Sequence, residues 1–262
     1  MSTVVVSAAG GDGFVAPGPA SFDLPPIVAG VTKPMVLIVL SAILVAWFFI
    51  SSARPAAIVP GKLQYVGELA YGFVRNSVAR DIIGGTEYIK YVPLLVAMFF
   101  FVLLNNFFAT IPGIQFPTFS HVGFAYVLAF ISWVVYNAVG IRKHGFLGYL
   151  KHSTIPSGVP AFILPLLIPM EFASNIIFRP ITLSLRLFAN MFAGHLLIML
   201  FALGGEYLLL HASGLIAKPA GLLTFVFGIL IGFLEILVQV LQAYVFTFLT
   251  AMYISGALAE EH

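Results

Sequence analysis

The stretch RPITLSLRLFANMFAGHLLIML (residues 179–200) carries one cation, Arg186, deep inside an otherwise apolar run that Arg179 opens. A charge near the centre of a membrane helix costs at least ~2.5 kcal/mol on the insertion scale. Arginine cannot avoid that cost by shedding its proton. The finished assembly must therefore supply Arg186 with a partner or a wet cavity, and the rest of the chain is the setting for that one charge.

Across all 262 residues, 61% are hydrophobic and 8% charged. A soluble domain is about 25% charged, so the composition specifies an all-α integral membrane protein. A formal net charge of +2 is too small to suggest nucleic acid, and the absence of cysteine excludes disulfides and thiol chemistry. No GxxxxGK[ST] or HExxH pattern occurs, so neither direct nucleotide binding nor a resident metal or other cofactor is expected.

Apolar runs predict spans at 35–51, 91–111 and 119–141. Between the first two, Leu63, Val66, Leu69, Ala70, Phe73 and Val74 recur at helical spacing, which predicts an amphipathic helix on the membrane surface, ended by Gly84-Gly85. Pro160, Pro165 and Pro169 predict a kinked or re-entrant segment after a loop at 151–160. Two further helices, 171–203 and 219–258, form an antiparallel hairpin around a loop at 204–218. Both exceed the ~20 residues an upright span needs, so strong tilt is expected. About five crossings result. Residues 1–31 are rich in Gly, Ala and Pro and are expected to form an exposed tail, leaving 32–262 as a single membrane domain. Lys and Arg cluster after the first and third spans (Arg54, Lys62, Arg75, Arg80, Lys90; Arg142, Lys143, Lys151), against Lys33 and Lys218 on the other side. The positive-inside rule then puts the N-terminus outside and the C-terminus in the cytoplasm.

Glu235, Gln239 and Gln242 share one face of the last helix, and Arg186 and Asn190 share a face of the helix before it. In a hairpin turning near Gly214, Arg186 lies level with Gln242, and His195 with Glu235. The two levels differ by ~10–13 Å in depth. His195 is half a turn out of phase with Arg186 and must face a different neighbour. A carboxylate and an imidazole can pass protons. A fixed arginine cannot, but it can block a proton path and favour ionisation of a carboxylate brought near it. Such a path is useful only if a moving partner carries the proton round the barrier. Gln239 suits interhelical hydrogen bonding as well as a path. Asn105, Asn106 and Glu171 fit either role. Arg179 reads as a snorkelling or phosphate-binding residue.

At these residues the sequence resembles subunit a of the rotary F-type ATP synthases. The resemblance rests on RPITLSLRLFANMFAG (179–194), on the final helix LEILVQVLQAYVFTFLTAMYISGAL (234–258) with its Gln-Ala-aromatic core, and on the C-terminal EEH typical of bacterial members. It implies that the hairpin at 171–258 is the ion-translocating unit, packed against the ring of c subunits in a bacterial inner membrane. The stalk subunit b and the other synthase subunits are the implied partners besides lipid, with nucleotide chemistry in those partners. Arg186 then matches the coupling arginine, Asn190 and Gln242 polar residues at the ring interface, and His195 and Glu235 the outer half-channel. A self-contained secondary transporter would instead show internal repeats or an acidic partner for Arg186 at its own depth. A purely structural scaffold would have no use for the buried charges.

Overall fold

The computed structural model describes residues 14, 16–22, 25, 30–54, 59–155, 162–212 and 214–259. The expectations for most of the tail, for Pro160 and for the terminal EEH lie outside the described residues. Within them the chain is helical almost throughout: α1 (Lys33–Ala53), α2 (Lys62–Val74), α3 (Asp81–Ile83), α4 (Tyr88–Phe107), α5 (Val122–Thr154), α6 (Leu164–Phe172), α7 (Arg179–Leu210) and α8 (Ala217–Leu258). Five helical runs are long and apolar enough to cross a membrane: α1, α4, most of α5, the run Leu164–Leu210, and α8.

The amphipathic segment packs through its less apolar side. Gln64, Gly67 and Val74 of α2 are buried, whereas Leu63, Val66, Leu69 and Phe73 all point outward. Those four residues of the expected stripe are free to meet lipid, as an interfacial helix requires. Val74, also expected on it, is instead buried in the core, because the stripe's end turns inward at the π-helical junction. A π-helical turn, Arg75–Arg80, joins α2 to α3, and Gly84 at φ 67° ends the run as expected.

Gly145 breaks α5 at φ 72°, directly after the basic triplet Arg142-Lys143-His144. The chain then doubles back, since the Tyr149 hydroxyl donates to Asn137 Oδ1 at 3.1 Å. Twelve residues of straight helix would separate those positions by ~18 Å.

The segment with Pro165 and Pro169 is not re-entrant. Pro165 sits in the first turn of α6, where a missing N–H costs nothing. Pro180, in the first turn of α7, cannot donate back to the preceding turn. The backbone widens there into a π-helical turn, Ala173–Phe178, and α5 satisfies the carbonyls. Trp133 Nε1 donates to the Ile176 carbonyl at 2.8 Å, and the Tyr136 hydroxyl donates to that of Asn175 at 3.0 Å. The result is one helical run of 47 residues, Leu164–Leu210.

The loop expected at 204–218 is also shorter. Helix α7 continues through Gly204-Gly205 to Leu210, and α8 starts at Ala217. Local propensity disfavours glycine in a helix by ~1 kcal/mol, but here close approach decides. A Cβ on Gly205 would lie 3.0 Å from the Phe225 ring and 3.4 Å from the Gly221 carbonyl oxygen; one on Gly221 would lie 2.8 Å from Leu209 Cγ and 3.1 Å from its backbone nitrogen. Small residues let membrane helices pack by van der Waals contact. Gly221→Leu is accordingly expected to splay the turn end of the hairpin and lower the amount of subunit recovered in assembled complex, read by immunoblot of purified membranes. Gly221→Ala should already show part of that loss, because its Cβ alone crowds Leu209.

The core sits where α4, α5, α7 and α8 meet. Leu95 and Val102, Ala125 and Ala129, Leu183, Leu187 and Met191, and Phe246 and Ile254 are all buried there. This packing fixes α7 and α8 side by side while leaving the far side of both uncovered.

Candidate functional site

The pairing of α7 with α8 sets the site. Asn190 Nδ2 donates to Gln242 Oε1 at 2.6 Å, a pair whose midpoint is Ile216. Gly194 lies against Glu235, whose Cδ would be 3.4 Å from a Cβ there. Those registers agree with a turn close to Gly214.

Glu235, Gln239 and Gln242 are all buried. They face inward because their three- and four-residue spacings keep them on the side of α8 that packs on α4 and α7. Asn106 Nδ2 donates to the Gln239 carbonyl at 3.0 Å. The Gln239 side chain meets Thr110: its Oε1 accepts from Thr110 Oγ1 at 3.0 Å, and its Nε2 donates to the same oxygen at 2.8 Å. Gln239 Nε2 also reaches Glu235 Oε1 at 3.4 Å, a long contact. Glu235 Oε2, Gln242 Nε2 and Asn106 Oδ1 are buried without a hydrogen-bond partner among the described residues. Such atoms cost roughly 1–3 kcal/mol each unless something polar reaches them.

His195 is half-buried on α7 and is not joined to Glu235 by a hydrogen bond or ion pair among the described residues. It lines a cavity of about 250 Å³ with Thr110, Gln115, Ile229, Gly232 and Ile236. Gly232 and Ile236 lie close to Glu235 along α8, but the Glu235 side chain itself does not line this cavity. Phe22 packs on α7 beside His195. Its ring lies 6.0 Å from the His195 ring and 5.2 Å from that of Phe192, and Phe22 is itself only 4% exposed. The expectation of an exposed N-terminal tail therefore fails at this residue, because an aromatic groove on α7 is there to receive it.

Arg186 stands apart. It is exposed on α7 with Ala189 and Ala193 beside it, also exposed. No carboxylate lies within ion-pair distance among the described residues, whose single salt bridge is Lys90–Glu87. Along α7, Arg186 is ~13 Å below His195 and ~10 Å above Arg179. The Arg179 guanidinium sits 5.0 Å over the Tyr253 ring, a cation–π contact. One and two turns before Arg179, Asn175 Nδ2 donates to Glu171 Oε2 at 3.1 Å and to the Ser153 carbonyl at 2.6 Å. Glu171 is thus in a polar cluster at the opposite end of the hairpin from Glu235.

The two neighbouring asparagines part company. Asn106 joins the Gln239 group, whereas Asn105 turns to α1, donating to Ser41 Oγ at 2.7 Å and the Phe101 carbonyl at 2.8 Å. Sequence reading missed Thr110, Gln115, Asn175 and Tyr253. Thr110 had one available signal, its four-residue spacing from Asn106; Gln115 had none, since it enters the cavity from a turn at φ 38°.

The ATP synthase A chain family matches residues 35–255. A protein of Nocardioides sp. named ATP synthase subunit a is 58% identical, with 98% of each chain covered. Proteins of the same name from Pseudarthrobacter chlorophenolicus and Paenarthrobacter aurescens are 53% and 50% identical, over 95% and 100% of each chain. With the hairpin, its buried polar face and its lone exposed arginine in place, the chain belongs to the ATP synthase A chain family.

Proposed function

We propose that this chain is the stator of a proton-driven rotary motor in a bacterial plasma membrane, a non-catalytic subunit whose partners make the ATP. Protons reach the cavity beside His195 from outside, pass Glu235, and protonate a carboxylate on a ring of c subunits. After rotation that carboxylate meets Arg186 and releases its proton towards the cytoplasm, past the cluster at Glu171, Asn175 and Tyr253. Asn190 stands beside the arginine at the ring surface, held from within by the buried Gln242, and Gln239 and Asn106 border the outer path. The stalk subunit b holds the stator against the ring's torque. The N-terminus is outside and the C-terminus in the cytoplasm, from the Lys/Arg bias.

One observation carries this reading: Arg186 is exposed on the uncovered face of α7, without an anion in ion-pair reach among the described residues. An unpaired charge in a membrane points to a functional partner, and that partner must come from another subunit. The small neighbours Ala189 and Ala193 let such a surface come close. The buried polar atoms around Glu235 and Gln242 support the same reading, because hydration of a proton path would satisfy them. Helix α8, about 63 Å long over its 42 residues, must tilt across ~30 Å of hydrocarbon. A tilted hairpin presents a long oblique face to a curved ring.

The chain has no cysteine, so single replacements give an unambiguous cross-link. Ala189→Cys and Ala193→Cys, oxidised in membranes with a cysteine beside the ring carboxylate, are expected to give a stator–ring adduct. Leu69→Cys, on the outward stripe of α2, should give none. Adducts from Leu69→Cys alone would overturn the assignment of the arginine face.

A further inference from the structure

Thr110 lies at the junction of two features that are otherwise separate. Its side chain lines the cavity that holds His195. Its hydroxyl oxygen lies 3.0 Å from Oε1 and 2.8 Å from Nε2 of Gln239. No other side chain connects that cavity to the Gln239–Glu235 pair by hydrogen bonds among the described residues.

The near equality of those two distances has a chemical consequence. A hydroxyl is both donor and acceptor, and its hydrogen rotates to suit its partner. Thr110 therefore meets the carbonyl end and the amino end of the Gln239 amide equally well. If the amide turned over by half a rotation, the pair would keep its hydrogen bond. Only Glu235 would notice. An ionised carboxylate needs the amide N–H facing it, whereas a protonated carboxyl can donate to the amide oxygen instead.

The surroundings hold such a rotation in place. The Thr110 backbone nitrogen donates to the Phe107 carbonyl at 2.9 Å, which fixes the turn leaving α4. Asn106 Nδ2 binds the Gln239 backbone carbonyl at 3.0 Å, which fixes α8 against α4. Both ends of the assembly are pinned, and the amide between them is the free element. The Gln239–Glu235 contact of 3.4 Å is long enough to tighten or reverse without moving either helix.

We propose that Thr110 is a positioning residue for proton passage at Glu235, holding the Gln239 amide so that it serves the carboxylate in one orientation and the carboxylic acid in the other. The proposal rests on the reading of Glu235 as part of the outer proton path. Thr110 neither gives up nor takes a proton in net terms. It lowers the cost of changing the protonation state of a buried group whose surroundings must suit both forms.

The test uses the whole complex in inverted membrane vesicles, with passive proton conductance of the membrane sector measured after the nucleotide-hydrolysing part is stripped off. Thr110→Val keeps the shape and removes the hydroxyl; Thr110→Ser keeps the hydroxyl. Conductance is expected to fall about tenfold in Thr110→Val, the scale of one lost directional hydrogen bond, and to return to within about twofold of the parent in Thr110→Ser. If Thr110 acts through Gln239, Gln239→Leu should lower conductance by itself, and adding Thr110→Val to it should change little further. Equal losses in the valine and serine variants, with assembly intact, would show that packing alone matters and overturn the proposal. Additive losses in the double variant would overturn it too. Glu235→Gln, run in parallel, separates the two levels. If it lowers conductance while Thr110→Val does not, the proposal fails and the outer-path reading stands. If Glu235→Gln leaves conductance unchanged, the outer path itself is misassigned and the proposal falls with it.

Discussion

Arg186→Ala is expected to abolish ATP-driven acidification in inverted vesicles while the assembled complex stays in the membrane and continues to hydrolyse ATP. The reason is electrostatic. A proton brought within about 6 Å of a fixed cation meets ~2.8 kcal/mol of repulsion at an effective dielectric near 20, about a hundredfold in rate. On the proposed mechanism, removing the cation would open a direct route between the two half-paths, and any proton driven across would leak back without turning the ring. Folding should survive, because Arg186 makes no ion pair within its own chain among the described residues and its side chain is exposed. Arg186→Lys keeps the charge but replaces a planar fork with a compact ammonium on a shorter reach. An intermediate loss of pumping is expected there. Pumping near the parental rate in Arg186→Ala would mean that the arginine is a structural residue, and the stator mechanism would not hold.

That prediction could be written from the sequence, and the reason is periodicity. The spacings Arg186–Asn190 and Glu235–Gln239–Gln242 are helical repeats on segments too apolar to be anything but membrane helices, so shared faces follow directly. The hairpin register was legible for a similar reason, since antiparallel partners are related by the turn. What was not legible depended on contacts distant in sequence. Gly204-Gly205 reads locally as a loop, yet the close passage of Phe225 and Gly221 keeps it helical. The prolines before α7 read as a break, yet Trp133 and Tyr136, some 40 residues earlier, stabilise the π-helical turn that accommodates Pro180. Phe22 reads as tail, and only the aromatic surface of α7 buries it. His195 and Glu235 read as a couple at one depth; the cavity that His195 lines does not include Glu235, and it is Thr110, on that cavity's wall, that reaches Gln239.

Glu235→Gln separates function from stability in opposite directions. Glutamine preserves the size and shape of the side chain and can still face Gln239, but it cannot take up and release a proton. ATP-driven pumping and ATP synthesis are expected to fall to less than about a tenth of the parent, read in the same vesicles. Stability should move the other way. Glu235 is only 5% exposed, and among the described residues one of its oxygens has no partner and its one hydrogen bond is long at 3.4 Å. Burying a charge so poorly paired costs more than burying a neutral amide. Replacement by glutamine should therefore stabilise the hairpin by roughly 1 kcal/mol, visible as a higher temperature for loss of this subunit from detergent-solubilised complex. A residue kept for structure would show the reverse pattern, full pumping with a lowered release temperature. Lost conduction together with raised stability is the pattern expected of a carboxylate kept at a cost to the fold for the proton that, on the proposed mechanism, it carries.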